Sequence, residues 1–339
     1  MIHQYPHFDL TRHNTFRMRV SCALYLELTE EEDLQQLDWS TLPQPVFVMG
    51  GGSNLLFTKD FPGTIVHMAN QGIRWNGDGT ATVAAGVVFD RFCRAAAEKG
   101  LWGPENLSLI PGDTGAAAVQ NIGAYGVEAK DIIASIRAYE RGTGRFVQID
   151  PADCGYGYRK SHFKKEWKGR FILTSVTFRL SAEPQPRLDY GGLRDELGER
   201  AGRPTPQEVR EAIIRIRRRK LPDPEELGSA GSFFCNPVVS REQFEKVVAI
   251  ARKERGEEVQ VPHYEMPDGV KIPAAWLIDQ CGFKGLEHGG AKVYPKQPLV
   301  IVNASGEARP EDILGLQQQI IDTIAGKYGI RIFPECEFV

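Results

Sequence analysis

The chain has 339 residues, 42% of them hydrophobic, and its 41 lysines and arginines against 44 acidic residues leave a formal charge of -3. That length predicts two or three domains with ordinary cores and excludes a disulfide-stapled mini-protein. The near-balanced charge excludes a global positive field of the kind that holds nucleic acid, so any anion must be bound locally.

Cys22, Cys93, Cys154, Cys235, Cys281 and Cys336 are scattered, with no CxxC pair, and read as reduced thiols. The histidines show neither HExxH nor paired spacing, and no metal is expected. MIHQYPHFDL has no basic start followed by an apolar run, and no apolar stretch of about eighteen residues follows anywhere. The expectation is a cytoplasmic protein with neither membrane nor nucleic acid as partner.

In chain order, Val46-Phe47-Val48-Met49 reads as a buried strand that stops at Gly50-Gly51-Gly52-Ser53-Asn54 and resumes at Leu55-Leu56-Phe57 and Thr64-Ile65-Val66. Thr80 to Ala84 is a further strand. Phe89, Phe92, Cys93, Ala96 and Ala97 fall at helical spacing before Gly100. Ile132 to Glu140 and Arg145 to Ile149 flank Arg141-Gly142-Thr143-Gly144 as a hairpin, and Phe171 to Leu180 is a β-branched strand. Residues 181–206 are polar and proline-containing, with Leu188, Tyr190, Leu193 and Leu197 as exceptions, and read as a connector or mobile loop.

Thr205 with Glu208, and Ser240 with Gln243, form capping boxes that open helices with buried stripes at Val209, Ala212, Ile213 and Ile216 and at Phe244, Val247, Val248 and Ala251. Ala274 to Cys281 and Glu311 to Ala325 predict two more helices, Leu299 to Val302 a strand, and Ile330 to Val339 a terminal strand.

The chemistry concentrates in the glycine-rich segments. There is no GxxxxGK[ST] loop, and Gly50 to Asn54 runs into a strand instead of continuing as GxGxxG into a helix, which argues against a kinase or a Rossmann dehydrogenase. Three consecutive glycines still expose unhindered backbone N–H groups suited to a diphosphate, although taken alone a flexible tight turn explains them better. The second segment, IPGDTGAAAVQNIGAYG from Ile110 to Gly126, either packs tightly on a neighbour or cradles a ligand. Gln120 and Asn121 favour the ligand, since buried amides without partners cost about 1–3 kcal/mol each. Two such segments suggest a dinucleotide cofactor threaded between two lobes.

GGGSNLLF, IPGDTGAAAVQNIGAYG, YGYRKSHFK, KLPDPEELGSAGSFFCNPVV, AAWLIDQCGFKG and PECEFV, spread in order over nearly the whole chain, resemble the UDP-N-acetylenolpyruvoylglucosamine reductases, in the longer-loop type with a substrate-covering tyrosine. The resemblance implies an α+β chain with a vanillyl-alcohol-oxidase (PCMH-type) FAD-binding fold of two α/β lobes and a third substrate domain. It places lobe 1 at residues 1–70, with 330–339 returning to the active site near it. Lobe 2 follows at 71–205, with a substrate loop at about 181–204, and the UDP-sugar domain at 206–329. It also implies tightly bound, non-covalent FAD, NADPH as co-substrate, a role in peptidoglycan precursor synthesis, and a monomer.

Reduction of an enolpyruvyl ether leaves enolate charge beside a carboxylate and requires an acid. By resemblance, Arg159 meets that charge with a planar two-pronged donor, Ser232 donates the proton, and Glu335 holds the enolate or relays the proton. Spacing alone does not separate Ser232 from Ser229, and Glu337 lies one strand step from Glu335. The resemblance assigns the cofactor to Gly50, Gly51, Gly52, Ser53, Asn54, Leu55, Pro111, Gly112, Gly115, Ala116, Gln120, Asn121, Gly123, Ala124, Tyr125, Gly126, Val176 and Arg217, and the substrate to Tyr158, Tyr190, Lys220, Asn236, Tyr264, Lys284 and Gln297. One departure is Cys235, where the family usually carries lysine. Two alternatives stay open: an oxidase of the same fold, and a non-catalytic UDP-sugar-binding protein.

Overall fold

The computed structural model describes residues 1–339, which divide into two compact units. The first comprises Met1–Asp9, Ser21–Gly52 and Phe61–Arg219; the second comprises Leu10–Val20, Ser53–Asp60 and Lys220–Val339.

The first unit holds two sheets. One orders Ile2–Asp9, Ser21–Leu28, Phe61–Met68 and Val46–Val48, with the first pair antiparallel and the others parallel. Ile65 and Val66, adjacent in sequence and therefore on opposite faces, are both fully buried, so the central strand Phe61–Met68 is covered on two sides. The other sheet is antiparallel throughout and runs Arg145–Ile149, Ile133–Glu140, Phe171–Arg179, Thr80–Ala84, Ile73–Trp75. Its inward residues Ala81, Val83, Ile136, Ala138, Val176 and Phe178 form one core with Phe89, Phe92, Cys93 and Ala96 of the helix Phe89–Glu98. Phe92 stacks on Phe178 at 4.7 Å between centroids. Truncating a phenylalanine at such a site costs about 3–5 kcal/mol. On the other face polar residues alternate with this core, and Thr82 and Thr177 share a hydroxyl hydrogen bond of 3.0 Å.

Thr205 and Glu208 cap one another reciprocally, at 2.9 and 3.2 Å, and open the helix Pro206–Lys220. Its stripe Val209, Ala212, Ile213 and Ile216 buries against Trp102, Leu188, Leu193 and Leu197. Here the connector expected at 181–206 differs from the structure. Leu193–Leu197 is helical and Gly198–Gly202 follows as a 3-10 turn, because the three leucines supply the apolar side this helix requires.

The second unit has a four-stranded sheet, Gly228–Ser229, Ile301–Asn303, Ala291–Val293 and Glu287–His288, and a three-stranded one, Val238–Val239, Gly269–Lys271 and Tyr264–Met266. Its helices are Arg241–Arg255, capped by Ser240 at Gln243 N (3.1 Å), Ala274–Gln280 and Pro310–Tyr328. The terminal strand is shorter than expected. Ile330 and Ile332 are buried anchors, Pro334 lacks a donor for a continuous ladder, and only Glu337–Phe338 is regular strand, parallel to Leu55–Leu56. Leu299 and Val300 belong to a turn, with Val300 N bonded to Gln297 O, so the strand there begins at Ile301.

Candidate active site

In the first unit the two glycine-rich segments meet. A Cβ on Gly50 would come within 3.0 Å of Ala116 Cβ, and one on Gly51 within 3.3 Å of the Gly112 Cα. Gly115 in turn lies against Ala85, where an added Cβ would be 3.0 Å from Ala85 Cβ. Of the two alternatives the sequence offers for these segments, close packing on a neighbour is what the structure shows. The helix Thr114–Gln120 ends at Asn121 in the left-handed region (φ 47°), and Tyr125 (φ 47°) and Gly126 (φ 78°) turn the chain again.

The buried Asn121 amide needs no ligand. Its Nδ2 donates to Glu128 Oε2 (3.0 Å) and Gly157 O (2.9 Å), and its Oδ1 accepts from Lys130 N (2.9 Å), so the protein itself satisfies this buried side chain. Val176, expected at the cofactor, is instead a core residue: it is fully buried within the sheet and has no surface to offer a ligand. Arg217, on the helix Pro206–Lys220, has a buried Nε with no hydrogen-bond partner. Burial lowers its pKa against the opposing charges of Tyr125 and Asp90, and burial likewise raises that of Tyr125. The exposed Tyr190 lies beside this turn, with its Cβ 3.7 Å from where a Cβ on Gly126 would sit.

Arg159 stands at the tip of a tight turn in which Gly157 and Lys160 exchange backbone hydrogen bonds of 3.1 and 3.0 Å. Its φ of 56° occupies a position that glycine or asparagine ordinarily takes. An arginine held there costs about 1–3 kcal/mol, the kind of strain that clusters at functional sites. The guanidinium is fixed by Nη2 donating to Gly123 O at 2.9 Å and lies 5.5 Å from the centroid of the Tyr158 ring.

In the second unit the structure joins two residues far apart in sequence. Glu335 N donates to Phe233 O (2.7 Å), Cys235 N to Phe333 O (2.9 Å), and Phe234 faces Pro334 as an antiparallel bridge. Glu335 therefore lies opposite Phe233, one residue along from Ser232, and both Ser232 and Glu335 are half-buried. Asn54 grips the same segment: its Nδ2 donates to Glu335 O (3.3 Å) and its own carbonyl accepts from Glu337 N (2.9 Å).

Ser229, which spacing left equivalent to Ser232, is buried in the strand Gly228–Ser229 and exchanges bonds with Thr15, which identifies it as a packing residue. Asn236 Oδ1 accepts from Ala274 N (2.8 Å) at the start of a helix, and Gln297 Oε1 from Leu299 N (3.4 Å). Lys220, Lys284 and Tyr264 are exposed, with Lys271 Nζ 5.1 Å from the Tyr264 ring centroid. Sequence reasoning missed Asp113, a buried carboxylate whose Oδ2 has no hydrogen-bond partner. A lone acid within a run of small residues was the available signal.

Residues 23–150 match the family model of an FAD binding domain, and residues 223–339 match that of the C-terminal domain of UDP-N-acetylenolpyruvoylglucosamine reductase. A protein of Bacteroides fragilis (strain YCH46) bearing that reductase name is 45% identical over 98% of this chain and 99% of its own length. The chain belongs to the UDP-N-acetylenolpyruvoylglucosamine reductase family. A like-named protein of Ralstonia nicotianae (strain ATCC BAA-1114 / GMI1000) is 42% identical over 97% of each chain. The crystal structure of the Thermus caldophilus reductase covers 100% of this chain and 98% of its own, with a TM-score of 0.69 at 23% identity, and so shares the fold. The expected α+β, PCMH-type FAD-binding architecture stands.

The site chemistry agrees with FAD. Glycines at 50 and 51, where a Cβ would crowd Ala116 and Gly112, and a buried Arg217 nitrogen without a hydrogen-bond partner are compatible with close backbone approach and positive charge toward a diphosphate.

Proposed function

We propose that this chain catalyses the reaction named for its family, the FAD-dependent, NADPH-driven reduction of UDP-N-acetylenolpyruvoylglucosamine to UDP-N-acetylmuramate for peptidoglycan synthesis. The observation that carries this reading is identity of 45% extending over 98% of the chain, cofactor and substrate motifs together. Gly50, Gly51, Gly52, Ser53, Asn54, Leu55, Pro111, Gly112, Gly115, Ala116, Gln120, Gly123, Ala124, Tyr125, Gly126 and Arg217 would hold FAD, whereas Val176 and Asn121 have no exposed surface to offer it. When bound, that group takes electrons from NADPH and supplies the hydride for the terminal carbon of the alkene.

The chain's residues manage the remaining charge and the proton. Arg159, already oriented by Gly123, pairs with the substrate carboxylate and stabilises the negative charge that develops on it. Ser232 Oγ–H gives its proton to the carbon beside that carboxylate, completing the two-hydrogen addition, and the serine recovers a proton from solvent. Glu335 stabilises the enolate or relays that proton. Tyr158, Tyr190, Lys220, Asn236, Tyr264, Lys284 and Gln297 hold the UDP-sugar, with Tyr190 covering it.

The working division is lobe 1 at 1–70, lobe 2 at 71–205 and a substrate domain at 206–329, in a cytoplasmic monomer. No helix is long and apolar enough to cross a membrane.

Steady-state assay tests the reading. NADPH consumption must depend on the enolpyruvyl sugar nucleotide, with a product heavier by two hydrogens. Hydrogen peroxide formed from an alcohol, with no NADPH consumed, identifies an oxidase instead.

A further inference from the structure

Asp113 is the N-cap residue of the helix Thr114–Gln120, where an aspartate ordinarily accepts a first-turn N–H. Here its side chain makes no capping bond. The carboxylate is turned under the triple glycine instead. A Cβ on Gly50 would sit 3.4 Å from Oδ2, and one on Gly51 3.5 Å from Oδ1. The residue is 7% exposed, and Oδ2 is buried without a hydrogen-bond partner. His67 Nδ1 lies 4.0 Å away, beyond hydrogen-bond reach, and stands 3.1 Å from Met49 O. The Tyr25 ring stacks on the same imidazole. Helix capping does not explain an acid here, and although His67 is near enough to pair with the carboxylate when protonated, it leaves the buried acceptor without a hydrogen-bond donor, which destabilises the fold.

We infer that Asp113 is a cofactor-binding residue whose carboxylate accepts a hydrogen bond from a sugar or ribityl hydroxyl of FAD. The inference rests on the FAD reading above. A hydroxyl suits the site because it satisfies the acceptor without adding charge, whereas a diphosphate would repel it. Backbone N–H groups and Arg217 remain for the diphosphate.

The test titrates full-length apoprotein with FAD, following quenching of flavin fluorescence, for wild type, Asp113→Asn and Asp113→Ala. Asp113→Ala should weaken the FAD Kd about 10- to 100-fold, and Asp113→Asn, which keeps a neutral acceptor, by less. Apoprotein Tm should stay unchanged or rise by about 1–3 °C, since an unsatisfied charge is removed and no cap is lost. ADP and FMN titrations locate the hydroxyl: loss confined to ADP places it on the ribose, and loss confined to FMN places it on the ribityl chain. Equal Kd values for all three proteins overturn the inference, as does weakening accompanied by a matching fall in apoprotein Tm, or a loss for FAD that neither fragment shows. If the wild type takes up no FAD, the cofactor reading fails as well.

Discussion

Glu335 donates its backbone N–H to the carbonyl of Phe233 at 2.7 Å, which fixes the carboxylate-bearing residue one step across from Ser232. The pairing uses main chain only, so either side chain can be changed without breaking it. For Ser232→Ala we expect near-normal flavin reduction by NADPH and a loss of about 10²-fold or more in reoxidation by the enolpyruvyl substrate. Stopped-flow measurement of the two half-reactions checks this. Equal slowing of both removes Ser232 from the proton-donor role.

Glu335→Gln is expected to act in the same half-reaction, slowing reoxidation by about tenfold or more, with little change in Tm because the bonds to Phe233 and from Asn54 are made by its backbone. A large fall in Tm with normal reoxidation points to a structural carboxylate.

Arg159→Lys keeps the charge and loses the planar fork, and should lower kcat by about 10²-fold while NADPH still reduces the flavin. Gly123→Ala reaches the same residue from the other side. The new Cβ would lie 3.2 Å from Arg159 Nη1 and 3.0 Å from Glu128 Cγ, displacing the guanidinium. A kcat fall of about tenfold is the expected result. Unchanged kcat in both variants contradicts the role assigned to Arg159.

Arg210, 5% exposed, forms a bidentate pair with Asp90 (2.5 and 2.7 Å), and Asp90 also accepts from Leu109 N at 2.5 Å. Asp90→Ala leaves that cation buried without its partner and should cost about 3–5 kcal/mol, read from urea unfolding. Burial raises the Asp90 pKa, but Arg210 and the Leu109 N–H outweigh it and hold the carboxyl below its ordinary value. A depressed folded pKa contributes stability above the unfolded value, about 3.9, and that contribution is lost as pH falls through the folded value. Wild-type stability should therefore drop more steeply below about pH 4 than that of Asp90→Ala.

Regular elements with strong periodicity were legible. Phe89, Phe92, Cys93 and Ala96 marked their helix because the same four positions reach the core, and the hairpin around Gly142 was marked by its turn. Within the connector expected at 181–206, the helical part at 193–202 is not legible in the sequence because the leucines of a polar stretch find their apolar partner only in a helix further along the chain. In the sequence the Asn121 amide suggests a ligand because its protein partners Glu128, Lys130 and Gly157 meet it only through the fold. Asp113 carries no distinguishing signal in the sequence beyond being an acid among small residues; that its side chain makes no cap bond is visible only in the fold. At the site spacing alone leaves Ser232 and Ser229 equivalent, the motif points to Ser232, and burial with the Thr15 contacts sets Ser229 apart.

The most direct measurement is an anaerobic titration of the purified protein, with NADPH first and the enolpyruvyl UDP-sugar second, followed by the visible absorption of the flavin. The account predicts a yellow protein that bleaches with one equivalent of NADPH and regains its colour with one equivalent of the sugar nucleotide, which is recovered as UDP-N-acetylmuramate. A colourless protein, or a bleached one that the sugar nucleotide leaves bleached, contradicts it.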